Sequence, residues 1–316
     1  MERGEEPSRT PSTSNVKNIN KKSSDKENKK AETLKKHVPD SVVIHDAVYE
    51  EDAPSSPLAA IKSPVSKDNL YYNMSLKHRG ICIVFNHETF SSGVGEKREG
   101  SNVDVASIKA TFSQLGFKDV QVHNNLKFAE FDTVMDDLTN VDYTDYSCLC
   151  VFVLTHGNSN GMLYTNDLGY PSDYLWKRFT ADNCKTLTGK PKLFFIQACR
   201  GSNVDAGIPL CSTQSNSGSS YKLPVQADFL IAYSTLDDHV SWRDPSNGSW
   251  YLQTLCNVIN THWTTTDLLK MLTITARKVA TEYVSQHDDV NLNEMVQMPT
   301  FTSTLTRDLL FTPTDT

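Results

Sequence analysis

Four short runs are apolar at nearly every position: residues 80–86 (GICIVFN), 148–155 (CLCVFVLT), 193–198 (LFFIQA) and 229–234 (FLIAYS). A strand with one face in water alternates apolar and polar residues, so a run without alternation needs cover on both faces. Between these runs lie stretches of helical spacing: 104–115 with Gly116 as its stop, 128–138, 250–259 and 267–283. Residues 117–122 and 300–311 complete the candidate strands. Buried strands separated by helices predict an α/β fold, a mostly parallel sheet of about six strands with helices on both faces, in three layers.

Residues 1–68 have a different character. They are rich in Ser, Lys, Asn, Pro and Glu, with a lysine-heavy block at 17–36, and are expected to be a disordered, solvated tail. A net charge of -7 and the lack of a basic stripe with interleaved aromatics argue against nucleic acid as a partner. The seven cysteines are odd in number and contain no C-x-x-C pair, a pattern of reduced thiols and not of a disulfide framework or a zinc site. There is no apolar signal segment and no run of about 20 apolar residues, so the expectation is a cytoplasmic protein without membrane contact. The sequons at Asn73 and Asn247 are then expected to be accidental.

In open α/β sheets, active sites gather at the carboxyl ends of strands. Two of the buried runs end in reactive residues: one leads into His156-Gly157, the other into Cys199-Arg200-Gly201. A thiolate is the reactive form of cysteine and a histidine can generate it, so Cys199 and His156 are a candidate nucleophile and base. Gly157 lets a backbone N–H approach a substrate oxygen, and that N–H with the one on Cys199 forms a candidate oxyanion hole. Singly, a cysteine at a strand end and a lone histidine also have ordinary structural explanations.

The residues around them decide the matter. Gln197-Ala198-Cys199-Arg200-Gly201 is the signature pentapeptide of caspases, and His156 precedes Cys199 by 43 residues. The chain resembles a caspase over 71–311, including 155–157, 195–201, 227–235 and 241–250. That resemblance implies a cysteine endopeptidase that cuts proteins after aspartate. It also implies an aspartate pocket built from Arg98, Gln197 and Arg243, since Arg98–Asp104 is similar to the family's R-x-G-[ST]-x-x-D segment. The chemistry agrees: a guanidinium is permanently charged and its fork matches a carboxylate. Ser241, Trp242 and Val240 fall by the same carry-over around the substrate, with the Arg243 main chain pairing it as an added strand and Trp250 left as core. Val240 stands where many effector members have a tyrosine, which implies a roomier second-residue pocket. Asp244 and the loop 285–293, which lacks aromatics, put a preference for an acidic fourth residue in doubt.

The resemblance further implies a zymogen with a prodomain at 1–68, a large subunit at 69–205, a linker at 206–222 and a small subunit at 223–316. Residues 206–222 hold no Asp or Glu, so Asp205 is the candidate intersubunit cleavage site, or else another protease cuts within 212–220. Asp40, Asp46 and Asp52 are candidate sites for removal of the tail; a cut at Asp46 exposes Ala47-Val48, loosely like the N-termini bound by inhibitor-of-apoptosis proteins. A tail too short for a recruitment domain points to an effector caspase in apoptosis, activated by an upstream caspase and pairing with itself near 300–305. No cofactor or metal is implied. The rival reading is a non-catalytic regulator that binds another caspase; a relative specific for basic residues would need acids where this chain has two arginines.

Overall fold

The computed structural model describes residues 63–91, 93–205 and 225–311. A six-stranded sheet runs in the order β10-β7-β6-β3-β1-β2. Its strands are β1 (Ile81–Asn86), β2 (Val120–Asn124), β3 (Leu149–Leu154), β6 (Lys192–Gln197), β7 (Phe229–Tyr233) and β10 (Thr300–Ser303). All neighbours are parallel except β10, which runs antiparallel to β7 at the edge. Two small two-stranded sheets lie outside it: β4 (Met162–Tyr164) with β5 (Gly169–Pro171), and β8 (Arg243–Asp244) with β9 (Gly248–Ser249).

The central strands β3 and β6 are buried at every position, as their unbroken apolar runs require. Their side chains part by alternation. Cys150, Phe152 and Leu154 join a core beneath α1 (Ser101–Gln114), α3 (Trp250–His262) and α4 (Leu268–Glu282). Leu149, Val151 and Val153 join a second core beneath α2 (Phe128–Thr139). Phe152 stacks on Phe195 at 4.7 Å and takes the edge of Phe112 at 5.0 Å. Phe152→Ala is expected to destabilise the domain by about 3–5 kcal/mol, since a ring-sized cavity between two strands and a helix cannot collapse. Equilibrium denaturation of the purified protein measures it.

Three elements differ from the expectation. The strand expected over 117–122 begins at Val120, because Phe117 completes the stop of α1. Gly116 takes φ +90°, its N–H donates to the Ser113 carbonyl, and the Phe117 N–H reaches back to Phe112. This Schellman turn folds the Phe117 ring onto Phe112 at 5.2 Å. The last strand stops at Ser303; beyond it the chain is irregular, and Leu309 and Phe311 are buried in the first core. Trp250 is half-buried, not core, because it opens α3 at the surface.

Candidate active site

The register of β3 against β6 brings the two reactive segments together. Leu154 pairs with Gln197, and the Thr155 N–H donates to the Gln197 carbonyl at 3.0 Å. Two residues beyond that pair stand His156 and Cys199. Among the described residues Cys199 is the one free cysteine that is not buried. Its Sγ accepts the Ser241 N–H at 3.3 Å.

His156 Nε2 lies 2.7 Å from the Glu96 carbonyl oxygen. A carbonyl only accepts, so Nε2 carries the proton and Nδ1 is left bare as a base. The ring is held by its surroundings: Phe90 lies 4.6 Å from it, and a Cβ on Gly95 would come 2.5 Å from its Cδ2. Burial lowers the His156 pKa, with smaller contributions in the same direction from Arg98 and Arg243. The acid limb of kcat/KM is therefore expected to fall below the ordinary histidine value of about 6.5, since the working base is the neutral ring. A pH–rate profile with a peptide substrate checks this.

Gly157 sits against the Cys199 backbone, where a Cβ would lie 2.3 Å from the Cys199 carbonyl oxygen. The bridge between Gly157 and Leu163 uses the neighbouring bonds Tyr164 N–H to His156 O and Asn158 N–H to Met162 O. The Gly157 and Cys199 N–H groups therefore meet no acceptor among the described residues.

Beside the thiol lie two cations. Arg98 is 1% exposed, and its Nη1 donates to the His87 carbonyl at 3.2 Å. No carboxylate forms an ion pair with it among the described residues, and burial, then Arg243, push its pKa down to about 9. His87 is held neutral at the same depth, its pKa pushed down to about 4 by burial and then by Arg98. Arg243 is half-buried and its Nε donates to the Glu99 carbonyl at 2.7 Å. Gln197 is buried; its Nε2 donates to Ser241 Oγ at 2.7 Å, and its Oε1 has no partner among the described residues. Arg200, the cation of the signature itself, is engaged elsewhere: it pairs with Asp237 and lies 3.9 Å over the Tyr233 ring.

Asp104 is a part of the site to which the sequence reading gave no role. It is fully buried, and accepts from the Ser249 N–H at 2.9 Å, the Ser249 hydroxyl at 2.7 Å and Gln253 Nε2 at 2.7 Å. Its field favours the charged forms of both Arg98 and Arg243. Its place as the last residue of the Arg98–Asp104 motif was the available signal.

Trp242 stacks on Trp250 at 5.8 Å, and Trp250 on Tyr283 at 5.3 Å, so an aromatic row flanks the arginines. Gln297 holds this segment, accepting the Trp242 N–H at 2.6 Å and donating to the Ser234 carbonyl at 2.7 Å. Val240 is half-buried, its N–H bonded to the Asn203 carbonyl at 2.9 Å. The Asp244 carboxylate is turned into its own loop, where Oδ1 accepts the Ser246 and Asn247 N–H groups, each at 2.8 Å. Arg243 and Asp244 already pair with Ser249 and Gly248 across β8–β9. Asp205 is half-buried, and its carbonyl accepts the Val296 N–H at 2.9 Å. Asp40, Asp46, Asp52 and the 206–222 linker lie outside the described residues. No helix among the described residues is long and apolar enough to cross a membrane.

Residues 79–310 match the family model described as Caspase domain. The chain is 45% identical to Caspase-1 of Spodoptera frugiperda over 260 residues, covering 81% of this chain and 86% of that protein. It is 41% identical to Caspase-1 of Drosophila melanogaster over 86% of this chain and 85% of that one. The crystal structure of the Spodoptera frugiperda caspase-1 superposes with a TM-score of 0.76 at 43% identity, covering 81% of this chain and 99% of that chain. With a half-buried cysteine and a histidine of defined tautomer at the ends of two paired strands, the chain belongs to the caspase family and is a cysteine-type endopeptidase.

Proposed function

We propose that this protein is an effector caspase: an endopeptidase of apoptosis, made as a zymogen, that cuts cytoplasmic proteins after aspartate. The observation that carries the reading is a buried guanidinium, Arg98, in no ion pair among the described residues, with Arg243 and the open Oε1 of Gln197 close to the thiol. A buried cation in no ion pair is costly even with Asp104 nearby, and a substrate carboxylate is a group that relieves the cost.

In this reading Nδ1 of His156 takes the proton of the Cys199 thiol as sulfur attacks the carbonyl carbon after the substrate aspartate. Negative charge gathers on the carbonyl oxygen, to which the Gly157 and Cys199 amides donate. The imidazolium passes its proton to the departing amine and leaves a thioester, which water hydrolyses with His156 as base. The roomy wall at Val240 admits a large second residue against Trp242. Because the Asp244 carboxylate faces its own turn, its effect on a fourth residue is through its charge alone.

Two copies are proposed to pair near residues 300–305, where β10 is the edge of the sheet. Activation by an upstream caspase at Asp205 would require the bond to Val296 to open first; cleavage of the 212–220 segment by another protease would not. Removal of the tail at Asp40, Asp46 or Asp52, and binding of inhibitor-of-apoptosis proteins to the exposed Ala47, belong to the same reading.

The deciding experiment compares paired peptides that differ only in Asp or Asn at the cleaved position, using the processed protein. Cleavage of the Asp peptide with no measurable cleavage of the Asn peptide is expected. Equal rates would remove the aspartate pocket. No cleavage of any peptide by correctly cut protein would favour the non-catalytic regulator, against which stand Cys199 and His156, both present.

A further inference from the structure

The chain enters the domain as a strap laid over its C-terminal segment. Arg307 Nη2 donates to the Ser66 and Lys67 carbonyls at 3.1 and 3.2 Å. The Asp308 N–H donates to the Leu70 carbonyl at 2.9 Å, and the Tyr72 N–H to the Asp308 carbonyl at 3.1 Å. The Tyr72 hydroxyl ends the strap on Asp228 Oδ1 at 2.7 Å, deep in the fold. The first described residues of the strap are Ser63-Pro64. Ser63 is exposed, and Pro64 rests on Gly189, where a Cβ would come 3.1 Å from its Cδ.

Beside these residues opens a cleft of about 330 Å³, lined by Ser63, Pro64, Lys185, Thr186, Thr188 and Lys190 among others, with no acidic residue in its wall among the described residues. Lys190 is already engaged: its ammonium donates to the Tyr143 and Thr144 carbonyls and feels Asp142 and Asp145. Lys185 is exposed, and its ammonium has no acceptor among the described residues. The Thr188 hydroxyl oxygen in the same wall is buried and has no partner among them. Ser63 Oγ, by contrast, donates only into its own turn, to the Val65 carbonyl at 2.6 Å. The cleft thus offers a cation and a hydroxyl to a group the serine does not yet carry. A proline after the serine fixes its backbone in the extended form that proline-directed kinases read.

We propose that Ser63 is a phosphorylation site for a proline-directed protein kinase, and that the phosphate docks on Lys185 in this cleft and pins the strap. Ser63 Oγ bonds to the γ-phosphorus of a nucleoside triphosphate while the bond to the β,γ-bridging oxygen breaks. The nucleoside diphosphate leaves, and the hydroxyl proton goes to the base of the kinase. The product carries a charge of about -1.5 to -2 and three strong acceptors. The strap bonds to residues 306–308, which follow the intersubunit linker, so pinning it tightens a non-covalent link between the two sides of any cut there.

The test uses the full chain with Cys199→Ala to prevent self-cleavage, and with Thr10→Ala, Ser56→Ala and Thr312→Ala, leaving Ser63 as the one Ser/Thr-Pro site. A proline-directed kinase active on the isolated 58–70 peptide is expected to phosphorylate Ser63 in the protein, read by peptide mass mapping. Titration by phosphorus NMR should then place the second ionisation of the phosphate below its ordinary value of about 6, by about half a unit, through the neighbouring ammonium. Lys185→Glu should abolish that lowering. No incorporation into the folded chain while the peptide is modified, or a titration that Lys185→Glu leaves unchanged, overturns the proposal.

Discussion

Replacing Arg98 by glutamine is expected to lower kcat/KM for an aspartyl peptide by about 10³-fold while raising the melting temperature of the free protein. The two effects have one origin. Removing one partner of a buried charge pair typically costs about 2–5 kcal/mol of binding, and each 1.4 kcal/mol is about a factor of ten. The same guanidinium is buried in the free protein with no ion pair among the described residues, beside a second cation, Arg243. Taking the charge away relieves a desolvation cost that the field of Asp104 offsets only in part, and a domain of this size gains about 2–4 °C per kcal/mol. Arg98→Lys keeps a charge but not the fork, and should recover only part of the activity. Kinetics beside thermal denaturation read both effects. Loss of stability together with activity would instead make Arg98 a structural cation held by the His87 carbonyl.

Gly157→Ala is expected to lower kcat/KM by about 10²–10³-fold with the fold intact. The added methyl would stand 2.3 Å from the Cys199 carbonyl oxygen and 3.1 Å from that of Met162, and both neighbours are backbone. Relief requires the ends of β3 and β6 to separate, which moves the Gly157 and Cys199 amides relative to each other. Loss of one oxyanion donor costs about 10²–10³ in rate, and a shift of about 1 Å about 10². The fall should appear in kcat more than in KM, because the oxyanion exists only past the ground state. Near-UV circular dichroism should be unchanged, since the site lies beyond the strands. An active Gly157→Ala enzyme would show that the oxyanion is held elsewhere.

Much of the site could be read from local order because its parts are strand ends. The runs before His156 and Cys199 are buried on both faces, so a reactive residue just past each had to lie at the sheet's carboxyl edge. Arg98 and Arg243 needed the motif around them, as isolated arginines are ordinary surface charges. Other parts left no such trace. The Glu96 carbonyl that sets the His156 tautomer is backbone, and any residue could supply it. Gly95 is required by the ring it faces and by nothing in its neighbours along the chain. The support of Asp104 comes from Ser249 on β9 and Gln253 on α3, far along the sequence. Trp250, expected in the core, stands between Trp242 and Tyr283 at the rim.

The sequence by itself determined the layers, the strands that fill them, and the candidates for nucleophile, base and pocket arginines. Each follows from a periodicity or motif contained within a few tens of residues. Only the tertiary structure decided the order of strands that makes β3 and β6 neighbours, the burial of Arg98 with Asp104 near it but not ion-paired to it among the described residues, and the carbonyl that orients His156. It also decided the bond between Asp205 and Val296 and the course of the strap over residues 306–308. These contacts join residues distant in the chain, many through backbone atoms that every residue shares, so they arise only when the packed sheet brings the segments together.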